Sequence, residues 1–216
     1  MTVLRLYDFA ASANCYKVRL LAAQLGLELE RVPVDLFAGE SQTPEHMARN
    51  PAGRTPVLEL ESGEHLAESG AILLYLAEGT PLLPGDKLGR ARAAQWLFFE
   101  QNLLEPNIGT GRFWILTGRA EGHEALVERW QKVGRHSLDV LERHLATNDF
   151  LLGAGYSVAD IGLYAYTHVA GDAGIELADY PAVGAWLERV EAQPGFMNDL
   201  EPYPVTAGAG GPSAHG

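Results

Sequence analysis

At 216 residues the chain can form one large domain or two small ones, and it can bury a core. Hydrophobic residues make up 47% and charged residues 20%, and the net charge of −12 argues against nucleic acid or an anionic membrane as the main partner. Cys15 is the single cysteine, which excludes an internal disulfide framework, and no apolar run approaches the ~20 residues that span a bilayer.

Thr2 to Tyr7 alternates apolar and polar residues, so it reads as a strand. Met1 to Tyr7 has no apolar signal region, so a cytoplasmic address is expected. Val18, Leu21, Ala22 and Leu25 recur at helical spacing, and Gly26 stops that helix. Leu29 to Val34 reads as a second strand, and Thr43 to Arg49 as a short helix with Pro44 at its first position. Pro56 to Leu60 and Glu64 to Leu66 form a hairpin turning at Ser62-Gly63; Ser69 to Glu78 is the next helix, ended by Gly79. The order βαβαββα specifies a small α/β layer domain over residues 1–79.

Thr80 to Asp86, with two prolines and a glycine, is the linker. Beyond it strand signals vanish. Lys87 to Leu116, with possible breaks at Pro106, Gly109 and Gly111, is followed by His123 to Leu145, Val158 to Ala170 and Ala182 to Ala192. Residues 87–203 are therefore expected to be all-helical, and residues 204–216, rich in Gly and Ala, to form a mobile tail.

Two segments suggest a ligand site. In Asn50-Pro51-Ala52-Gly53-Arg54-Thr55-Pro56-Val57-Leu58, Pro56 enters a strand, where a cis bond is most readily tolerated. The backbone of Thr55 would then be free to pair with an extended peptide. Glu68-Ser69 stands at the start of an apolar helix, offering a carboxylate beside an anion-binding helix terminus. Together they describe a pocket for a small zwitterionic peptide. Ser157 and Asp160 read instead as a purely structural capping box, with Tyr156 and Ile161 as its hydrophobic staple.

The layer order, the linker and the helical half resemble the cytosolic glutathione transferase family over roughly residues 1–200. Asn50-Pro51-x-Gly53-x-x-Pro56-x-Leu58 matches its loop before the third strand. Glu68-Ser69-x-Ala71-Ile72-x-x-Tyr75-Leu76 matches the segment holding the γ-glutamyl end of glutathione. Ser12-x-Asn14-Cys15-x-Lys17-Val18-Arg19 resembles the first-helix opening of the serine-type and bacterial branches, and Ser157-Val158-Ala159-Asp160 the start of the family's buried helix.

The resemblance implies a thioredoxin-like N-terminal domain, an all-α C-terminal domain, and glutathione as co-substrate bound by Gln42, Arg54, Thr55, Pro56, Glu68 and Ser69. It implies conjugation of the glutathione thiolate to a small apolar electrophile lined by Phe113 and Trp114, a role in detoxification, and a homodimer. A free thiol with a pKa of about 8.5 must be activated by a hydrogen bond beside a helix N-terminus. Ser12 and Asn14 are the expected catalytic donors, with Tyr7 at the end of the first strand as an alternative hydroxyl. Cys15 as a redox nucleophile would mark the rival reading, a glutathione-dependent disulfide reductase or isomerase; a non-catalytic binding protein on this fold is the other. The seven histidines lack the paired spacing of a zinc site, and no Walker A or G-x-G-x-x-G motif is present, so neither metal nor nucleotide is expected.

Overall fold

The computed structural model describes residues 4–204 and 207. The first part runs β1 (Leu4–Asp8), α1 (Ala13–Leu25), β2 (Leu29–Pro33), α2 (Pro44–Arg49), β3 (Val57–Glu59), β4 (His65–Ala67) and α3 (Ser69–Leu76). This is the expected βαβαββα order, and it forms the thioredoxin-like layer. Thr2 and Val3 of the expected first strand lie outside the described residues, as does the expected tail apart from Pro204 and Ala207.

The sheet order is β2-β1-β3-β4, with β1 and β2 parallel and the other pairs antiparallel. Because successive strand residues point to opposite faces, the pairs in register sort themselves. Leu6 opposite Leu58 joins Val18 of α1 and Ile72 of α3 on one face. Tyr7 opposite Val57 joins Val34 on the other. Burying each such aliphatic side chain stabilises the fold by roughly 1.5–3 kcal/mol.

The second part holds α4 (Lys87–Phe99), α5 (Thr110–Leu116), α6 (Glu124–Leu145), α7 (Val158–Thr167) and α8 (Pro181–Glu191). Its core is continuous with the sheet half: Tyr16, Leu20, Leu21 and Leu73 pack in one cluster with Leu97, Leu104, Ile161 and Trp186. Asp86 caps α4 by accepting from Gly89 N–H at 2.9 Å. Ser157 and Asp160 form the expected capping box on α7.

Between α4 and α5 the chain does not break. Glu100–Gly109 is a ten-residue π-helical segment with Pro106 inside it. Proline supplies no N–H to a helical ladder. Nearby, the Leu103 carbonyl accepts from the Asn107 side-chain amide at 2.7 Å and the Ser137 hydroxyl at 3.3 Å. Gly109 marks a close approach: a Cβ there would lie 2.6 Å from the Tyr166 ring of α7.

Candidate functional site

A cleft opens where the β1–α1 turn, the α2–β3 loop and the start of α3 face the π-helical segment and α7. It has two adjoining lobes, of about 340 Å³ and 640 Å³, which share Asn14, Arg54 and Thr55. The smaller lobe is polar, walled by Asn50, Glu68, Ser69 and Gln101. The larger is apolar on one side, where Phe9, Leu36, Phe113, Tyr166 and Tyr203 meet.

The loop before β3 is built around Asn50, whose Nδ2 donates to the Arg54 carbonyl at 3.0 Å and whose Oδ1 accepts from Ala52 N–H at 3.0 Å. His46 Nε2 lies 3.0 Å from the same carbonyl. The Thr55-Pro56 bond is cis, and both residues line the polar lobe. Gln42 is exposed and donates to the Gly53 carbonyl at 3.0 Å, so it braces this loop from behind. Gly53 has φ of 60°, and a Cβ there would sit 2.5 Å from Gln42 Nε2, which requires glycine. The exposed Arg54 reaches both lobes.

Glu68 precedes α3 with φ of 69° and ψ of 114°, and its side chain makes no capping bond. It is exposed, whereas Ser69 beside it is buried. No side chain therefore occupies the first turn of α3 from the cap position, and the helix presents its N-terminus to the polar lobe.

Ser12 is the N-cap of α1, accepting from Cys15 N–H at 3.3 Å, and it lines the apolar lobe. Accepting at the oxygen leaves its hydroxyl proton available to a ligand. Asn14, in the first turn of the same helix, is the meeting point of a buried cluster. Its Oδ1 accepts from Lys17 Nζ at 2.7 Å and from the Ser69 hydroxyl at 3.2 Å. Lys17 also pairs with Glu100 Oε2 at 2.9 Å, both side chains being almost wholly buried. Burial pushes the Glu100 carboxyl up to about 7, against the pull of Lys17. The half-buried Glu105, on the same π-helical segment, lines the apolar lobe beside Asn14. Burial raises its carboxyl, while Lys17 and Arg54 pull it down.

Cys15 is fully buried, with its Sγ accepting from Phe9 N–H at 3.4 Å. Burial and the neighbouring Asp8 push its thiol up to about 11, the opposite of what a nucleophilic cysteine requires. The Tyr7 hydroxyl donates to Glu59 at 2.7 Å under the Arg49 guanidinium, on the face of the sheet that packs Val34 and Val57. Phe113 stacks on Phe37 at 6.2 Å between ring centroids and walls the apolar lobe. Trp114, its neighbour, packs instead on Trp130 and His123, away from the cleft.

The sequence did not single out Glu100, Glu105, Tyr166 or Tyr203. Tyr203 arrives because the chain after α8 folds back: Glu201 N–H donates to the Ala10 carbonyl at 3.3 Å, and Asp199 pairs with Arg19 at 2.8 Å. Among the described residues no group of His, Cys, Asp and Glu could hold a metal ion.

The family model "Glutathione S-transferase, N-terminal domain" matches residues 2–78, and "Glutathione S-transferase, C-terminal domain" matches residues 124–189. Glutathione S-transferase 3 of Zea mays is 34% identical, with 95% of this chain and 96% of that protein covered. Disulfide-bond oxidoreductase YfcG of Escherichia coli (strain K12) is also 34% identical, over 86% of this chain and 89% of its own length. The crystal structure of a glutathione S-transferase from Pseudomonas fluorescens superimposes with a TM-score of 0.90 at 42% identity, covering 92% of this chain and 100% of that one. A glutathione transferase from Burkholderia graminis, solved with two glutathione molecules bound per subunit, gives 0.82 at 30% identity, covering 92% and 88%.

Proposed function

This chain belongs to the glutathione S-transferase family, and from that premise we propose a glutathione transferase that joins the glutathione thiolate to an apolar electrophile. The observation that carries the reading is the position of Ser12 and Asn14. Both sit at the N-terminus of α1, where a polar lobe meets an apolar one. Glutathione lies along the polar lobe, its γ-glutamyl carboxylate at the open start of α3 by Ser69 and its ammonium at Glu68. Thr55 and Pro56 support the middle of the peptide, and Arg54 takes the glycyl carboxylate. Gln42 acts by bracing the loop.

The thiol then falls beside the Ser12 hydroxyl and the Asn14 amide. Two donors and the positive end of a helix favour thiolate over thiol. The electrophile sits against Phe113, Tyr166 and Tyr203, and the rate gain comes from proximity and from the lowered thiol pKa. Residues 1–79 serve as the glutathione-binding domain, 80–86 as the linker and 87–203 as the electrophile-binding domain. The exposed Tyr75, Leu88 and Phe98 on α3 and α4 are the apolar surface that a second copy would cover in a homodimer. A cytoplasmic address and a part in detoxification complete the reading. The disulfide reductase alternative is disfavoured by the burial and raised pKa of Cys15.

The test follows the thiolate absorbance of bound glutathione against pH in the wild type, Ser12→Ala and Cys15→Ala. Ser12→Ala should raise the bound thiol pKa by about one unit and slow aryl halide conjugation about tenfold. Cys15→Ala should leave both unchanged; loss of activity in Cys15→Ala alone would overturn the assignment in favour of redox chemistry.

A further inference from the structure

We propose that the buried Lys17–Glu100 pair is a positioning device for the reaction, holding the Asn14 amide so that its N–H groups face the thiol. The inference rests on the transferase reading above and adds to it two residues that touch neither glutathione nor electrophile.

Three features of the pair point this way. Lys17 directs its ammonium at three oxygens: Asn14 Oδ1 at 2.7 Å, Glu100 Oε2 at 2.9 Å and Ser69 Oγ at 3.5 Å. Two of those three belong to the candidate site. The Tyr166 ring lies against the same ammonium, 5.1 Å from its centroid, and also walls the apolar lobe. The hub therefore joins α1, the start of α3, the π-helical segment and α7 at one cation.

Asn14 is the second feature. A side-chain amide can face either way, and its partners decide which. Here Lys17 and the Ser69 hydroxyl both donate to one atom, which must be the carbonyl oxygen. The NH₂ is then turned away from Lys17, toward the cleft that Asn14 lines. Without Lys17 the amide loses its shortest orienting contact and can turn its acceptor toward the sulfur, which would disfavour the thiolate.

The third feature is the cost. Glu100 is buried with Oε1 lacking any hydrogen-bond partner among the described residues. A buried ion pair is weak evidence for stability, since well-packed apolar residues of similar volume often do as well or better. An orphaned oxygen makes the arrangement poorer still. A structural role alone gives no reason to keep it, whereas orientation of Asn14 does.

The test separates folding from function through the double variant Lys17→Met/Glu100→Met. Lys17→Met alone leaves Glu100 uncompensated and should lower Tm. The double variant removes both charges and should recover a Tm near that of the wild type. Positioning predicts that the bound thiol pKa of this recovered protein still stands about one unit above wild type, with conjugation at neutral pH about tenfold slower. It further predicts that adding Asn14→Ala to the double variant changes the thiol pKa far less than Asn14→Ala does in the wild type.

A double variant that recovers the wild-type thiol pKa and rate along with Tm overturns the proposal and leaves the pair structural. If the double variant does not fold, Lys17→Met/Glu100→Gln, which removes the ammonium and leaves a neutral amide in place of the carboxylate, takes its place. An effect of Asn14→Ala on the thiol pKa that is as large in Lys17→Met/Glu100→Gln as in the wild type then overturns the proposal equally. A wild-type protein that leaves bound glutathione at its free thiol pKa refutes the transferase reading itself, a distinct failure that removes the premise of the positioning role.

Discussion

Two helix starts in this molecule carry an acid and a serine, and they have opposite fates. At α7, Asp160 accepts from four donors: Ser157 N–H at 2.9 Å, the Ser157 hydroxyl at 3.0 Å, Leu151 N–H at 2.9 Å and Trp186 Nε1 at 3.0 Å. The Ser157 oxygen accepts from Ala159 N–H at 3.3 Å, and both side chains are buried. At α3, Glu68 is exposed, makes no cap and holds a positive φ, so the first turn stays open. A helix terminus whose donors are consumed internally is scaffold. One that leaves them facing a cleft can hold an anion.

The comparison breaks most visibly at Asp160. Asp160→Ala strands the Leu151 and Ser157 amides and the Trp186 indole N–H in the core, so it should cost about 3–5 kcal/mol in urea unfolding. The remaining folded protein should bind glutathione as the wild type does. A wild-type unfolding midpoint would show that the closed terminus carries no stability. Ser69→Ala should act the other way round. Glutathione affinity by calorimetric titration should fall about tenfold, while stability shifts by less than about 1 kcal/mol. If binding were intact, the Ser69 hydroxyl would play no part in holding the carboxylate.

The difference between these termini was half visible in the sequence. Ser157-Val158-Ala159-Asp160 and Glu68-Ser69 each read correctly as helix starts, because capping chemistry is local. The order of strands and helices over residues 1–79 followed from alternation and turn residues, and the cis bond at Pro56 from its place before a strand. The cleft's far wall was not legible. Tyr203 reaches it only because the chain after α8 is tied back to the β1–α1 turn. Glu100 and Glu105 were hidden because the sequence pattern over 87–116 suggested a helix with breaks at Pro106, Gly109 or Gly111, not a continuous π-helical segment. Residues five apart on an α-helix lie about 140° from alignment at 3.6 residues per turn, whereas the wider π-type turn brings them onto a common side. Trp114 was expected beside Phe113 in the pocket, yet neighbours on a helix point about 100° apart, and only Phe113 faces the cleft.

The smallest expected effect is also the most diagnostic, because it asks why Glu68 tolerates its backbone. A non-glycine residue at φ of 69° and ψ of 114° is strained, and such strain costs of order 1 kcal/mol or more. Glu68→Gly removes the strain but adds unfolded-state entropy, so stability should stay level or rise by up to about 1 kcal/mol. Glutathione affinity should nonetheless fall, by about fivefold, because the exposed carboxylate no longer meets the ammonium. Glu68→Gln separates the two terms: it keeps the strain and loses the charge, so it should match Glu68→Gly in affinity and the wild type in stability. If both variants bound as the wild type does, the strained acid would have no ligand to explain it. If both lost stability instead, the α3 start would be scaffold of the same kind as the α7 start.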